Sequence, residues 1–426
     1  MLRADRICIW IFILGLLFLI PGYVFVKYID ELCAVALGVI AVLDAIVNGN
    51  WKRYKLLWII MGIMTFYAIY SVAFLSFNTL PYIIVDWIIE LKPYIPWVVF
   101  FAVRPTLKEG DKQIIKWICI FNIVLAFIIA LGGYYAIITL IGHIAVVGQV
   151  IFVCTLLYAY CSIEESGGFS KQNLIEILAF LTLGLVCTRS KYYVEYICAI
   201  FFFVFYRPGV LRKLNLKHLM AFIALGLLIV FVSWNKFSYY YLTGNSDTFD
   251  PTTVQTFARP VLFATGGLIL IDFFPFGSGL ASFATYASAA NYSNLYYHYG
   301  IDKVYGLSPQ MGEFICDAFL PSLAQFGIVG LVLFTWFWVY VYHFVRPLAR
   351  NALIEYKYDI ALASLVIIYV LVESTSGNSF TQPSGLIAMC LLGVICGKAE
   401  NVTETKNLTN TDKKKLIEKE LQLEKI

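Results

Sequence analysis

The sequence predicts an all-α, polytopic integral membrane protein with about twelve transmembrane helices and one large external loop. Of its 426 residues, 61% are hydrophobic and only 14% are charged. A soluble domain normally carries about 25% charged residues, so lipid must be the main solvent of this chain. Two further observations support this fold class: apolar runs of spanning length, and an uneven distribution of the basic residues.

Apolar runs recur along the chain, and a helix needs about 20 such residues to span the hydrocarbon core. The first run follows a basic start, as in a signal peptide. It continues for spanning length without a small-residue cleavage site, so we expect it to be retained. Some runs are short or interrupted, and the fourth contains acidic residues, a lysine and two prolines. The runs lie at 7–26, 32–47, 56–77, 82–103, 114–133, 143–162, 173–187, 192–206, 218–235, 318–345, 358–374 and 384–397.

The basic residues test the number of spans, because Lys and Arg concentrate in cytoplasmic loops. With a cytoplasmic N-terminus and twelve spans, most of the 31 Lys and Arg residues fall on the cytoplasmic side. One miscounted helix would move every later loop to the other side and destroy this bias. We therefore expect both termini in the cytoplasm, a transmembrane domain over 1–397 and a charged cytoplasmic tail over 398–426.

The longest outward segment runs from about 236 to 317. An apolar stretch at 260–276 lies within it, and a crossing there would put the basic loop at 346–357 outside. We therefore expect a short helix in the outer interface rather than another span. A run rich in Tyr, Ser and Asn follows at 285–300 and suits a surface that faces the membrane or a sugar.

The cysteines indicate neither a metal site nor a disulfide framework. The ten cysteines are scattered, mostly inside apolar runs, and the sequence has no CxxC motif. No Cys and His residues have the spacing of metal ligands. We expect the cysteines to be small packing residues, and we expect no metal and no cofactor.

Three cations are predicted at or near membrane depth on the outer side, where a charge is costly and commonly functional. Arg189 and Lys191 separate the seventh and eighth runs, and Arg259 begins the apolar stretch of the external loop. Arg supplies a planar fork for phosphate oxygens and Lys a point charge, so these residues are candidates to hold a lipid-linked diphosphate. The alternative is that they reach lipid headgroups, or that Lys191 pairs with Glu195.

Two glycines and two carboxylates complete the candidate site. Gly277 and Gly279 follow the apolar stretch, where glycine permits a tight turn and a close backbone approach to a ligand. Glu313 and Asp317 would share a face if they lie on a helix. Two nearby carboxylates favour each other's protonation, which is one way to tune a general base. The alternative is a polar helix end next to solvent.

Four elements occur in order along the chain: Thr188-x-Ser190-Lys191, Arg259, the Pro-Phe-Gly-Ser-Gly-Leu-x-Ser-Phe element at 275–283, and Asp317 ahead of Phe-Gly-Ile-Val-Gly at 326–330. In this order they resemble the motifs of the bacterial O-antigen polymerase (Wzy) and O-antigen ligase superfamily of surface-polysaccharide membrane proteins. The resemblance covers roughly 180–345 by motif and the whole chain by topology and length. Ligases usually carry a His-rich element where this chain has 308–317, and the nearest histidine here is His298. This difference favours a polymerase.

The resemblance implies a glycosyltransferase in the bacterial cytoplasmic membrane. Its donor would be a glycan on undecaprenyl diphosphate, and its acceptor the terminal sugar of another lipid-linked repeat unit. Fixed cations would stabilise the leaving diphosphate, and Asp317 or Glu313 would take the acceptor's proton. The residues expected to bind substrate are Arg189, Lys191, Gly277, Gly279 and His298, with Arg259 assigned to catalysis.

The resemblance also implies partners and leaves alternatives. Membrane lipid, a chain-length regulator and a flippase of the same pathway are expected partners, and nucleic acid is not. An O-antigen ligase is one alternative. A lipid-linked oligosaccharide flippase is the other, although flippases typically contain an internal repeat, which we do not find here.

Overall fold

In a computed structural model of the protein, the described residues are 3–26, 28–166, 170–206, 257–350 and 357–400, with a few more between 226 and 238. Within these ranges the chain is helical, apart from loops, turns and one isolated β-bridge between Ser308 and Met311. The all-α fold class is confirmed for these residues. The predicted ninth span and the predicted tail lie largely outside them.

Several helices, among them α1, α4, α10 and α11 as bounded below, are shorter than the corresponding apolar runs. Short 3₁₀ or π segments extend α4, α10 and α11 and connect α15 to α16. In chain order the described helices are α1 (Ala4–Leu17), α2 (Pro21–Phe25), α3 (Ile29–Val47), α4 (Lys55–Tyr70), α5 (Leu80–Leu91), α6 (Tyr94–Val103), α7 (Glu109–Leu131), α8 (Gly133–Ile141), α9 (Ile144–Ser166), α10 (Lys171–Leu183), α11 (Ser190–Ile200), α12 (Ala258–Asp272), α13 (Tyr286–Ala290), α14 (Asn294–His298), α15 (Phe319–Ser322), α16 (Gly327–Arg350), α17 (Lys357–Ser374) and α18 (Pro383–Glu400).

Among the described residues, five helical stretches are long and apolar enough to cross a membrane. They match the third, fifth, sixth, tenth and twelfth expected runs. The fourth run divides into α5 and α6 at Pro93, because proline has no amide hydrogen to donate within a helix. The count of twelve spans therefore remains a prediction. The five stretches are Trp51–Leu75, Glu109–Leu131, Ile144–Glu164, Phe319–Arg346 and Pro383–Glu400.

Helix α9 lies at the centre of the bundle. It packs against α7, α10 and α17. In its most apolar 18-residue segment, 94% of the residues are buried. A helix that is apolar on all sides is expected to be buried in this way. The stretch Trp51–Leu75 is only 22% buried and exposes Phe66 and Phe74, as a helix facing lipid would.

Two groups of ion pairs lie at one end of the bundle, here called the basic end. Arg6 of α1 bonds Asp111 of α7 at 2.6 Å. Lys398, near the end of α18, pairs with Asp359 of α17 at 2.9 Å and with Glu164 of α9. These residues come from segments that the distribution of charge assigns to one side of the membrane. The beginning of α9 and the end of α17 consequently lie at the opposite end.

Residues 258–317 form a compact loop unit around α12. Leu262 and Ile269 of α12 pack with Phe283 in a hydrophobic core separate from that of the bundle. A helix therefore occupies most of the apolar stretch expected at 260–276. Its position relative to a bilayer remains a prediction.

Polar side chains of the bundle hold the loop unit by its backbone. Asp86 of α5 is fully buried and accepts a 2.7 Å hydrogen bond from the amide of Ala281. Ser71, at the end of α4, accepts one of 2.6 Å from the amide of Leu280. A buried carboxylate requires such partners to offset the loss of water, which accounts for an acidic residue inside the fourth apolar run.

Candidate functional site

An ion pair lies at the N-terminal end of α12. Arg259, in the first turn, donates from Nη2 to Oδ2 of Asp317. Asp317 occupies the turn before α15, and α12 packs along α15 and the 3₁₀ segment that follows it. The two side chains are 23% and 27% exposed. Two predicted site residues, 58 positions apart, are therefore in contact and accessible.

Arg189 lies where α10 and its 3₁₀ extension give way to α11. Thr188 has a φ of 51°, in the left-handed region, and so turns the chain sharply. Arg189 directs its Nη2 to within 3.2 Å of Nε2 of His143, the residue before α9. The predicted polar junction therefore lies against the beginning of the central helix.

Lys191 enters a buried polar network at the end of α17. Its Nζ lies 2.7 Å from Oε2 of Glu373 and donates a 3.0 Å hydrogen bond to the carbonyl of Ser376. Gln149 Nε2, at 2.8 Å, and the Ser379 hydroxyl, at 2.9 Å, donate to the same carboxylate oxygen. Three donors offset the cost of burying this carboxylate.

The sequence-based alternative of a Lys191–Glu195 ion pair is wrong. Glu195 is fully buried in α11, and the ion pair of Lys191 is with Glu373. The physical reason is that α11 packs against α17. A carboxylate from another helix therefore lies nearer to Lys191 than the one a turn away on its own helix.

The predicted cations and one predicted carboxylate form a single group, here called the cation cluster. His143 interacts electrostatically with four of the other members, and Arg259 joins through its pair with Asp317. The three cations can contact an anion individually, and the carboxyl group of Glu195 also lies beside Lys191 and Glu373. The members of the cation cluster are His143, Arg189, Lys191, Arg259, Asp317 and Glu373.

The surroundings of His143 favour its neutral imidazole form. Partial desolvation and then the positive charge of Arg189 lower the pKa of His143 below its usual value. Asp317 and Glu373 act in the opposite direction without reversing the shift. The shift favours a histidine that contributes hydrogen bonds to the cluster rather than positive charge.

Gly277 and Gly279 lie at the far end of α12 from Arg259, about 20 Å along the helix at 1.5 Å per residue. Gly277 has a φ of 79°, and a Cβ there would lie 2.2 Å from the backbone nitrogen of Gly327. At Gly279 a Cβ would lie 2.6 Å from Ser71 Oγ. Both glycines thus permit close packing of the loop unit on the bundle, and the structure does not bring them to the cation cluster.

His298 also lies away from the cluster. It is exposed at the end of α14, and its ring packs edge-on against Tyr299, with 5.1 Å between centroids. The Tyr299 hydroxyl donates a 2.8 Å bond to Asp272, the last residue of α12. His298 is therefore on the surface of the loop unit, at the end of α12 opposite Arg259.

The expectation that Glu313 and Asp317 share a helical face is wrong. Residues 313–316 form turns, and α15 begins only at Phe319. The amide of Asp317 bonds the carbonyl of Phe314 at 3.2 Å, three residues back, so no α-helical hydrogen bond aligns the two carboxylates. Glu313 is exposed, whereas Asp317 turns inward to Arg259.

Two members of the cluster were missed by sequence reasoning. His143 is a single histidine at the start of an apolar run, and Glu373 lies in the last turn of another. The rule that a charge inside an apolar run usually has a function would have selected Glu373. No comparable signal selects His143, because its importance depends on its distance from Arg189.

The cation cluster can bind an anion and place a carboxylate beside it. Its cations and its partial exposure suit phosphate oxygens, for which Arg and Lys are common ligands. Among the described residues, no group of three or more His, Cys, Asp or Glu side chains could hold a metal ion. In comparisons with known proteins, the chain matches no family model, no curated protein and no solved structure.

Proposed function

We propose that this protein polymerises oligosaccharide repeat units carried on undecaprenyl diphosphate into a surface polysaccharide, such as O-antigen or capsule. The observation that supports the proposal is the cation cluster, in which Arg259 pairs with the carboxylate of Asp317. His143 interacts electrostatically with Asp317 and also with Arg189 and Lys191. This combination suits a reaction in which an anionic diphosphate leaves while a neutral hydroxyl loses a proton. The resemblance to O-antigen polymerases supplies the sugar substrate.

In the proposed reaction, the acceptor hydroxyl attacks the anomeric carbon of the donor glycan. The new glycosidic bond forms as the bond from that carbon to the diphosphate oxygen breaks, and the electron pair leaves with the diphosphate. Asp317 takes the hydroxyl proton. The cations stabilise the charge that develops on the leaving group, which is already ionic and needs no proton.

The surface of the loop unit suits the two ends of such a substrate. Leu268, Ile271 and Phe274, on and just after α12, are at least half exposed and could contact a polyprenyl chain. Tyr286 and Tyr297 are also exposed, and aromatic faces of this kind can pack against sugar rings. Such contacts would bind the two groups that the diphosphate connects, the polyprenyl lipid and the glycan.

We also propose that the protein spans the bacterial inner membrane twelve times, with its basic end in the cytoplasm. Cysteine-accessibility or fusion reporters should then find residues 207–217 and 346–357 inside and residues 280–310 outside. The ion pairs at the basic end and the bias of Lys and Arg support this orientation. An external reporter at 346–357 would contradict it and would mean that 260–276 crosses the membrane.

A gel of the surface glycan from cells lacking this protein tests the proposed reaction. We expect the ladder of long chains to collapse to a single repeat unit, and re-expression to restore it. Full-length glycan retained on the lipid carrier would contradict the proposal and indicate a ligase. Absence of any outward-facing repeat unit would also contradict it and indicate a flippase.

A further inference from the structure

We propose that His143 and Arg189 together form a two-donor site for phosphate oxygens, with Nε2–H of the neutral imidazole as the second donor. The inference rests on the proposed function and identifies which part of the cation cluster contacts the diphosphate. It also assigns His143 a role as a hydrogen-bond donor instead of a base.

The hydrogen bonds of His143 determine which ring nitrogen carries the proton. The backbone N–H of Ala145, in the first turn of α9, donates to Nδ1 of His143 at 3.2 Å. That amide has no acceptor within its own helix, so Nδ1 serves as its acceptor. A neutral imidazole has one N–H and one acceptor nitrogen, and the proton consequently lies on Nε2.

Two donors then face each other across 3.2 Å. Nε2 of His143 lies at this distance from Nη2 of Arg189, and a guanidinium group has no acceptor. The two N–H groups cannot bond each other. An oxygen that accepts from both would satisfy both, and phosphate oxygens accept from Arg at about 2.8 Å.

The distribution of charge also identifies Arg189 as the contact for the anion. Arg259 is paired with Asp317, and Lys191 with Glu373. In the part of the chain that the structure describes, Arg189 forms no ion pair with a carboxylate. Its guanidinium is half-buried, and His143 beside it is exposed, so a ligand can reach both side chains.

The experiment measures the tautomer and the binding of inorganic pyrophosphate on full-length protein in phosphatidylcholine nanodiscs. Selective ¹⁵N-histidine labelling should show His143 protonated on Nε2 at neutral pH, with the signal assigned by its loss in His143→Gln. Pyrophosphate should shift that signal. His143→Phe should weaken pyrophosphate binding about tenfold or more, and His143→Gln should retain most of the affinity, because its amide also donates.

The control variant is His343→Ala, which removes an exposed histidine near the basic end of α16 and should bind pyrophosphate normally. Unchanged affinity in His143→Phe, or a proton on Nδ1, would overturn this inference and leave the proposed function standing. Failure of the wild-type protein to bind pyrophosphate would overturn both. Displacement of pyrophosphate by phosphatidic acid in the nanodisc would support a site for phosphate oxygens and identify a phospholipid headgroup as their source.

Discussion

Replacement of Arg259 by alanine should eliminate long surface glycan while the protein remains in the membrane. Removal of one fixed group that stabilises charge in a transition state can raise the barrier by about 3 kcal/mol, which is roughly a hundredfold in rate. Arg259→Lys should recover only part of the activity, because the planar fork of donors is lost. The measurement is the length distribution of the glycan, with the protein quantified in isolated membranes.

The Arg259–Asp317 pair is partly buried, at 23% and 27% exposure, so removal of one partner can also lower stability. The amount of protein in isolated membranes separates such a loss from a defect in the reaction. Lys303→Ala is a matched control, because it removes an exposed cation from the same loop unit and should leave the ladder intact. A normal ladder in Arg259→Ala would remove Arg259 from the mechanism.

Asp317→Asn should reduce chain extension by about a hundredfold or more, because the amide retains the shape of the carboxylate but cannot accept the proton. Binding of the lipid-linked donor should survive, since all three cations are unchanged. Glu313→Gln provides the comparison: Glu313 is exposed and lies outside the cation cluster, so its amide should retain a near-normal ladder. The measurement is the rate of chain extension in membranes supplied with the donor.

A double substitution distinguishes a base from a residue that only orients Arg259. If Asp317 acts solely through Arg259, adding Asp317→Asn to Arg259→Ala should cause no further loss. A base should add its own defect. If Asp317→Asn and Glu313→Gln both extend chains normally, Asp317 is not the base. Glu373 would then be the next candidate, as the other carboxylate of the cluster.

The helical nature of the chain could be predicted from sequence because apolar runs record burial in lipid or in a core directly. Pro93 also signalled the division between α5 and α6. The early ends of α10 and α11, which continue as 3₁₀ and π segments, have no comparable signal. They depend on how neighbouring helices pack, and that information is distributed over the whole bundle.

The candidate site could be predicted in part. The predicted topology assigned four site residues to the outer side of the membrane: Arg189, Lys191, Arg259 and Asp317. Topology predicts a shared side but not which side chains are in contact. Their pairings could not be predicted, because each involves contacts between distant segments. Glu313 was grouped with Asp317 by its spacing, and that inference failed because spacing determines a shared face only within a helix.

The separate core of the loop unit has a consequence for evolutionary change. The unit's interior packs around Leu262 and Ile269, and the bundle holds it by its backbone at Leu280 and Ala281. Most of the cation cluster comes from other helices. Exposed residues of the unit such as Tyr286 and Tyr297 can therefore vary without disturbing either core or these anchors. Under the proposed reaction, sugar preference would then diverge while the bond-forming chemistry is inherited unchanged.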